Sequence, residues 1–318
     1  MKTYLLRRIA LMIPTLFGIT IVVFAAVRFL PGDVVDQIIG PDVTYVNPQT
    51  RAALERQYGL DQPIAKQYLW WAEGLVHGDF GRSIISGRPV MQDLAERIPV
   101  TIELGLLGLI FSLVIAIPVG VIAAIRQDGW ADQIARSAAI LFLAIPSFWL
   151  ALIVIIYGFD WFGWTPPLRY HQLWESPSAN IRILWIPGLI LGAHTAGAIM
   201  RLMRTTMLEV LRQDYIRSAW SKGLRERVVI TRHALRNAII PVVTIIGLEI
   251  RGLVGGTVIL EAIFSIPGMG NYLLSSIQQR DYPVVQAVVL LTAVIVVISN
   301  LAVDVSYSLI DPRIRYSS

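Results

Sequence analysis

Residues 100–125 read VTIELGLLGLIFSLVIAIPVGVIAAI, an apolar run with a single charged side chain, Glu103. A helix needs about 20 mostly apolar residues to cross the hydrocarbon core of a bilayer. The run is long enough, and its Leu, Ile, Val and Ala content favours a helix over the alternating segments of roughly ten residues that build membrane β-barrels. The sequence therefore predicts that this segment spans a membrane.

Five further windows share this character, and they predict an all-α polytopic membrane protein with about six transmembrane helices. The complete set of predicted spans is 9–30, 100–125, 134–159, 183–203, 238–260 and 284–310. Several windows contain or border a proline, such as Pro146 in the third window. Membrane helices tolerate proline because neighbouring groups can satisfy the freed backbone atoms. We therefore expect each window to form one spanning helix.

The composition of the whole chain supports this class. The 318 residues are 55% hydrophobic and 15% charged, whereas an ordinary soluble domain carries about 25% charged residues. The mean hydropathy is +0.62, and the chain has no cysteine. These values exclude a disordered protein, a disulfide-rich secreted domain and a typical cytosolic enzyme. The net charge of +5 follows the predicted membrane topology, so we expect no nucleic-acid partner.

The distribution of basic residues predicts which side of the membrane holds the termini. Six spans place both termini on one side, where the short segments contain sixteen Lys and Arg residues, nine of them in 201–237. Short cytoplasmic loops are enriched in Lys and Arg, and long loops contribute little to this bias. Both termini are therefore predicted to be cytoplasmic. Residues 9–27 are long for the apolar h-region of a signal peptide, and no clear cleavage site follows them, so we expect an uncleaved first helix.

A long segment, residues 31–99, separates the first two predicted spans. It is too long for a bare connector, and it carries nine acidic and six basic residues together with amphipathic stretches and glycine turns. We interpret it as a folded external cap, which serves as a structural lid, as a docking surface for an extracytoplasmic partner, or as both. The predicted organisation is a tail and first helix at 1–30, the cap at 31–99, and a membrane core at 100–318.

The core contains a basic segment, predicted to be cytoplasmic, between the fourth and fifth spans. Residues 201–237 are rich in helix-favouring side chains and are interrupted at Gly223. The pattern predicts a helix, a glycine turn and a second helix that project from the membrane as a bracket. A bracket of this kind can transmit motion to a partner. Alternatively, its charges only enforce the topology and bind anionic lipid headgroups.

Ionisable residues inside a predicted span are candidates for a functional site, because each costs about 2.5 to 3.5 kcal/mol on insertion scales. Glu249 and Arg251 lie near the centre of the fifth window. They are about 200° apart around a helix, so each needs its own partner. They either line a substrate pathway or form structural ion pairs. Gly252 and Gly256 form a small-x-x-x-small pair, which predicts close helix packing. Arg28 and Glu261 lie near the outer interface, where snorkelling suffices.

Residues 214–244 read DYIRSAWSKGLRERVVITRHALRNAIIPVVT. This stretch resembles the cytoplasmic coupling loop of bacterial ABC importer permeases, and most closely that of the dipeptide and oligopeptide branch. Further motifs match that branch in the same order: LPGD at 30–33, YGLDQP at 58–63, GDFGRS at 78–83, IPSFW at 145–149, IPGMG at 266–270 and DPRIRY at 311–316. Each motif is weak alone, but their order and spacing extend the resemblance over nearly the whole chain.

The resemblance implies a pore subunit of an ATP-driven importer, located in the bacterial inner membrane and working by alternating access. In the family, the loop holds a short coupling helix that sits in a cleft of the cytoplasmic ATPase. Carried over within the loop at 204–237, the implied coupling residues are Tyr215, Arg217, Ser218, Ala219, Lys222 and Gly223. The wider family has the motif Glu-Ala-Ala-x-x-x-Gly, ending at the position of Gly223. This chain has Arg217 in place of the glutamate, and the peptide branch often lacks that glutamate as well. The family also has acidic residues at the positions of Glu103 and Asp304, which implies that these two side chains have structural roles.

The resemblance also implies the partners: a second related permease subunit, two ATPase subunits and a solute-binding protein. ATP and Mg²⁺ would bind the ATPase subunits, and no cofactor is expected on this chain. The sequence contains no Walker A, HExxH or GxSxG pattern, and its four histidines are scattered. The chain is therefore expected to be a transporter subunit and not an enzyme.

Alternatives remain open for the cargo of the transporter and for the energy source that drives transport. The peptide branch usually has Gln-x-Gly where this chain has Glu249 and Arg251. The implied cargo is a di- or oligopeptide, with glutathione, a nickel chelate, an opine or an oligosaccharide as alternatives in the same branch. A stand-alone secondary transporter that uses intramembrane acids is the main rival. Inverted repeats would be expected for it, and the sequence shows no internal repeat.

Overall fold

The computed structural model describes residues 2–29, 48–57, 60–167 and 169–310. Several side chains within the helices, among them those of 250–254 and 304–310, lie outside the described set. In the ranges described, the regular structure is helical apart from one antiparallel bridge between Arg82 and Pro89. The sequence motifs at 30–33 and 311–316, and the Tyr58–Gly59 part of YGLDQP, lie outside the described residues.

The helices follow one another along the chain with short connections in the second half. They are α1 (Lys2–Phe29), α2 (Pro48–Gln57), α3 (Ile64–Val76), α4 (Val90–Ile125), α5 (Trp130–Ala144), α6 (Ser147–Phe162), α7 (Pro177–Leu211), α8 (Asp214–Ser221), α9 (Glu226–Val228), the π-helical segment Val229–Ala234, α10 (Leu235–Ile263), α11 (Met269–Gln278) and α12 (Tyr282–Ile310). Among the described residues, five stretches are long and apolar enough to cross a membrane, and the bent pair α5–α6 raises this to six. The predicted all-α class with about six spans is confirmed.

The third predicted span, residues 134–159, is divided between two helices. Helix α5 ends at Ala144, α6 begins at Ser147, and their axes differ by 99°. Ile145 and Pro146 between them are extended, with ψ angles of 121° and 136°. Proline lacks a backbone N–H and disfavours the helical conformation of the preceding residue. The prediction of one continuous helix here was therefore wrong.

The chain forms two compact units, the first comprising residues 1–99 and 268–318 and the second residues 100–267. In the first unit α1 packs against α12. A separate apolar cluster joins the start of α4 to α11 and α12, with Val90, Leu94, Met269, Val284 and Val288 buried in it. The burial of these apolar side chains stabilises the packing of the helices against one another.

Hydrogen bonds and a salt bridge connect loops and helices of the first unit. The Ser83 hydroxyl donates a hydrogen bond to Asp281 (2.5 Å), and the Tyr272 hydroxyl donates one to Asp93 (2.9 Å). Arg88 forms a salt bridge to Asp93 at 2.9 Å. Burial, followed by the hydrogen bond to Asp93, raises the pKa of the Tyr272 hydroxyl, so the group stays protonated and remains a donor.

Helix α7 is the central element of the second unit and is buried along much of its length. Glycines allow its backbone to approach its neighbours closely. A Cβ on Gly192 would collide with the carbonyl oxygen of Gly108 in α4, and one on Gly197 would lie 2.7 Å from that of Ala139 in α5. A Cβ on Gly256 in α10 would lie 3.1 Å from Leu191 of α7. The surroundings of Gly252, the other glycine of the predicted small-x-x-x-small pair, lie outside the described residues.

Candidate functional site: the short-helix loop and the centre of the second unit

The loop between α7 and α10 contains the short helix α8, with the sequence DYIRSAWS. Gly223, two residues beyond the helix, has a φ of +73°. Its N–H donates a hydrogen bond to the carbonyl oxygen of Trp220 at 2.9 Å. The left-handed region costs an ordinary L-residue roughly 1–2 kcal/mol, and glycine avoids that cost. Gly223 therefore ends α8 and redirects the chain toward α9.

One face of α8 packs into the core of the second unit. Ile216 and Ala219 are buried there, three residues apart and hence on the same side of the helix. The same cluster includes Met203 and Met207 of α7 and Val229 of the π-helical segment. In addition, the Asn237 side chain of α10 donates a hydrogen bond to the Tyr215 hydroxyl at 2.7 Å. Helix α8 thus shares an apolar core with α7 and the π-helical segment, and it is hydrogen-bonded to α10.

The other face of α8 is exposed, and it includes most of the residues that the resemblance singles out. The exposed members of the predicted set are Tyr215, Arg217, Ser218, Lys222 and Gly223. Ala219 differs, because it is only 7% exposed and packs into the core. Trp220 is 43% exposed and belongs to this face, although sequence reasoning did not single it out. The 3.6-residue period of α8 predicts that Ala219 lies on the side of Ile216. Trp220 is four residues from Ile216 and therefore lies at the edge of the exposed face.

A buried ion pair lies near the start of α5. Asp132 is fully buried and accepts two hydrogen bonds from Arg204 of α7, at 2.5 and 2.7 Å. The backbone N–H of Asp128 donates a third at 3.0 Å, and Arg136 approaches at 3.6 Å. This clamp joins the turn between α4 and α5 to α7. From the sequence, Arg204 was recognised only as part of the basic loop, and Asp132 was not identified.

Glu249 lies in α10 and is half-buried. Its carboxylate accepts a hydrogen bond of 3.2 Å from the Thr195 hydroxyl of α7. The side chain of Arg251, the other predicted pathway residue, lies outside the described residues. The structure thus places an acidic group between α7 and α10, and its participation in a substrate pathway stays a prediction.

Two other acids of the second unit have specific partners. Glu103 accepts hydrogen bonds from the Tyr170 hydroxyl (2.7 Å) and the Asn180 amide (2.9 Å). Burial, followed by this bond to Glu103, raises the pKa of Tyr170. Glu261, expected to snorkel, is instead fully buried and accepts a bond of 2.8 Å from Thr101. A polar partner on α4 stabilises the buried carboxylate, which explains why it does not extend toward the interface.

Within the described ranges, no group of three or more His, Asp or Glu residues could hold a metal ion. The exposed, arginine-bearing face of α8 is instead suited to contact another macromolecule. Its aromatic side chains, Tyr215 and Trp220, are of the type that contributes most at protein interfaces.

Comparison with known proteins agrees with this geometry. The family "Binding-protein-dependent transport system inner membrane component" matches residues 116–316, and the corresponding N-terminal family matches residues 1–105. The dipeptide transport system permease protein DppB of Alkalihalophilus pseudofirmus is 38% identical over 340 residues, covering 99% of this chain and all of that protein. The Escherichia coli K12 protein of the same name is 39% identical, covering 99% of both chains. A putative peptide transport system permease protein of Brucella abortus (strain 2308) is 40% identical over 316 residues, covering 99% of this chain and all of that protein.

Solved structures show the same fold. An inward-facing structure of the MetNI methionine ABC transporter matches with a TM-score of 0.56 and 18% identity, covering 70% of this chain and 97% of that one. A crystal structure of an amino acid ABC transporter matches with a TM-score of 0.51 and 12% identity, covering 69% and 94%. At these identities the likeness shows the fold, and the matches to the family and to its full-length relatives show the membership. The chain therefore belongs to the family of inner membrane components of binding-protein-dependent transport systems.

Proposed function

We propose that this chain is a pore-forming subunit of an ATP-driven importer for dipeptides or short oligopeptides. Permeases named for dipeptide or peptide transport match it over 99% of its length at 38–40% identity. A second related permease subunit completes the pore, two ATPase subunits bind ATP and Mg²⁺, and a solute-binding protein delivers the cargo. Both termini and α8 face the cytoplasm, and no nucleic acid is involved.

The attachment of α8 is the single observation that best supports coupling to an ATPase. Ile216 and Ala219 of its buried face belong to the same apolar cluster as Met203 and Met207 of α7, and the Asn237–Tyr215 hydrogen bond joins it to α10. A force applied to its exposed face therefore reaches the two helices that carry Thr195 and Glu249. Closure of the ATPase pair would move α8 and change the opening of the pathway from one side of the membrane to the other.

Glu249, where the peptide branch usually has glutamine, is suited to a cargo that carries a cationic group. A peptide carries an ammonium group at one end, and a half-buried carboxylate in a low-dielectric region attracts such a cation strongly. Among the alternative cargoes, glutathione also carries an ammonium group, whereas a neutral oligosaccharide does not. Glu249 is thus proposed as a residue of the substrate pathway. Arg251, about 200° away around the same helix, is proposed as a separate candidate that would contact an anionic group of the cargo.

The exposed face of α8 is tested by replacing Trp220 with alanine. Truncating a tryptophan that anchors an interface typically costs about 2 kcal/mol or more, so we expect uptake and transport-linked ATP hydrolysis to fall by about tenfold or more. Trp130→Ala is the matched control, because Trp130 is 71% exposed and lies at the start of α5, outside α8. Both variants should keep the thermal stability of the native chain. Equal effects of the two substitutions on transport would contradict the proposed docking surface.

A further inference from the structure

Helix α3 lies against the apolar span of α1. The rings of Tyr68 and Trp71 contact Phe24 at centroid distances of 5.4 and 5.6 Å, and Tyr68 also approaches Phe17 at 6.4 Å. The Tyr68 hydroxyl and the Thr20 hydroxyl are 2.8 Å apart and share a hydrogen bond. Helix α3 therefore touches α1 within its candidate membrane span, residues Ala10–Val27.

The contact with Thr20 gives the depth of α3. Thr20 precedes Val27, the end of the span, by about two helical turns, which is roughly 10 Å along the axis of α1. Helices that lie in a membrane interface are typically buried about 5–10 Å into the boundary between headgroups and acyl chains. The Thr20 hydroxyl also donates to the Phe17 carbonyl oxygen at 2.7 Å, so that Tyr68 can donate to Thr20 and both hydroxyl protons are paired, as an apolar environment requires.

The remaining surface of α3 is divided into two stripes. At 100° per residue, Leu69 and Val76 lie on one flank beside the face that contacts α1, and they are 63% and 85% exposed. Lys66, Glu73 and His77 form a polar stripe farther around the helix, and all three are exposed. The apolar arc of α3 is thus wider than the part that α1 covers.

We propose that α3 is an interfacial membrane helix and that its flank formed by the side chains of Leu69 and Val76 contacts phospholipid acyl chains. These are the chains of the leaflet in which α1 ends. The polar stripe of Lys66, Glu73 and His77 faces headgroups and water. Lys66 lies 4.7 Å above the ring of Trp70, and such amphipathic side chains favour the interface. This placement differs from the sequence-based interpretation of residues 31–99 as an external cap, because it puts part of that segment within the bilayer.

Spin labelling tests the placement, because the chain has no native cysteine. Single cysteines are introduced at Leu69, Val76 and Glu73, labelled with a nitroxide and reconstituted in liposomes together with the co-purified subunits. Collision with oxygen reports lipid exposure, and collision with a water-soluble nickel complex reports exposure to water. Val22→Cys, on the exposed surface of the α1 span, is the lipid reference. Ser86→Cys, an exposed loop position, is the water reference.

We expect the labels at positions 69 and 76 to match the lipid reference, with oxygen access exceeding nickel access. The label at position 73 should be several-fold more accessible to nickel than those two. Nickel access at 69 and 76 equal to that at 86 would overturn the proposal in favour of an aqueous cap. Poor access of both reagents at 69 and 76 would overturn it in favour of a protein partner. The readout does not depend on transport, so a failure here is distinct from a failure of the proposed importer function.

Discussion

Gly223 has a backbone conformation that determines where the chain goes after α8. Its φ of +73° lies in the left-handed region, and a Cβ at this position would meet no atom within 4 Å. The requirement for glycine is therefore conformational rather than steric. Asparagine tolerates this region better than other non-glycine residues, whereas β-branched residues tolerate it poorly.

Replacing Gly223 with valine should uncouple transport from ATP hydrolysis, since the strained backbone moves the end of α8. A penalty of about 1 kcal/mol or more corresponds to a fall of roughly fivefold in uptake per ATP hydrolysed. The complex should still assemble, because the membrane helices are unchanged. Gly223→Asn is the matched control and should keep most of the coupling. If the valine variant takes up as much substrate per ATP hydrolysed as the native chain, the role assigned to this turn is refuted.

Glu249 can be tested without removing its hydrogen bond. In Glu249→Gln the side-chain oxygen still accepts from Thr195, but the charge is lost. Uptake of a dipeptide with a free ammonium group should fall more than uptake of its N-acetylated form, by about tenfold in proteoliposomes for a difference of 1.4 kcal/mol. Glu103→Gln, at an acid held by Tyr170 and Asn180, should not discriminate between the cargoes. Equal loss for both peptides in Glu249→Gln, with poor assembly, would indicate a structural ion pair.

Sequence patterns identified which residues are unusual but not always what they contact. Residue types and spacing pointed to Gly223 and Glu249 from the chain alone. Ala219 was assigned to the coupling surface because it belongs to a motif, although its helical position turns it toward Ile216 and the core. Asp132 and Arg204 are 72 residues apart, and a pair so distant in sequence cannot be recognised before α5 and α7 are placed together.

At the scale of elements, the Asp132–Arg204 clamp should be important for the second unit. Removing one partner of a buried ion pair strands the other charge and typically costs about 3–5 kcal/mol. Asp132→Ala should therefore lower the thermal stability of the chain markedly, as measured by thermal unfolding in detergent. Asp214→Ala is the control, because its pair with Arg217 is exposed and spans 3.4 Å. Exposed pairs contribute about 0–1 kcal/mol, so equal destabilisation by the two substitutions would contradict the stabilising role of the clamp.

The bend between α5 and α6 shows why hydropathy predicts spans better than it predicts helix continuity. The mean hydropathy of residues 134–159 depends on their apolar side chains and contains no information about the direction of the backbone. The two extended residues at Ile145 and Pro146 instead produce a 99° change of axis. Proline in a membrane helix is often tolerated, so its presence alone did not distinguish a kink from a break.

At the scale of the whole molecule, composition and apolar runs predict a multi-pass membrane protein, and the family confirms this class. The all-α class was predictable because apolar runs of about 20 residues have few other stable states. The position of α3 was not, since its contact with α1 depends on packing between Tyr68 and Phe24 that no local pattern reveals.

The side of the membrane on which α8 lies can be determined with the cysteine-free chain. A cysteine at Ser86 should react with an impermeant thiol reagent added to intact spheroplasts, whereas one at Ser221 should react only after lysis. Both serines are exposed, so burial does not explain a difference. The reverse pattern would overturn the charge-based orientation and the proposed coupling role of α8.

Peptide uptake by the reconstituted complex tests the proposed importer function itself. This chain, its co-purified subunits and the cognate solute-binding protein are placed in proteoliposomes that contain ATP and Mg²⁺, and accumulation of a radiolabelled dipeptide is measured. We expect uptake against a gradient that requires hydrolysable ATP and the binding protein and that stops when the ATPase subunits are omitted. Accumulation by this chain without ATPase subunits, driven by a proton gradient, would contradict the importer function and identify a secondary transporter.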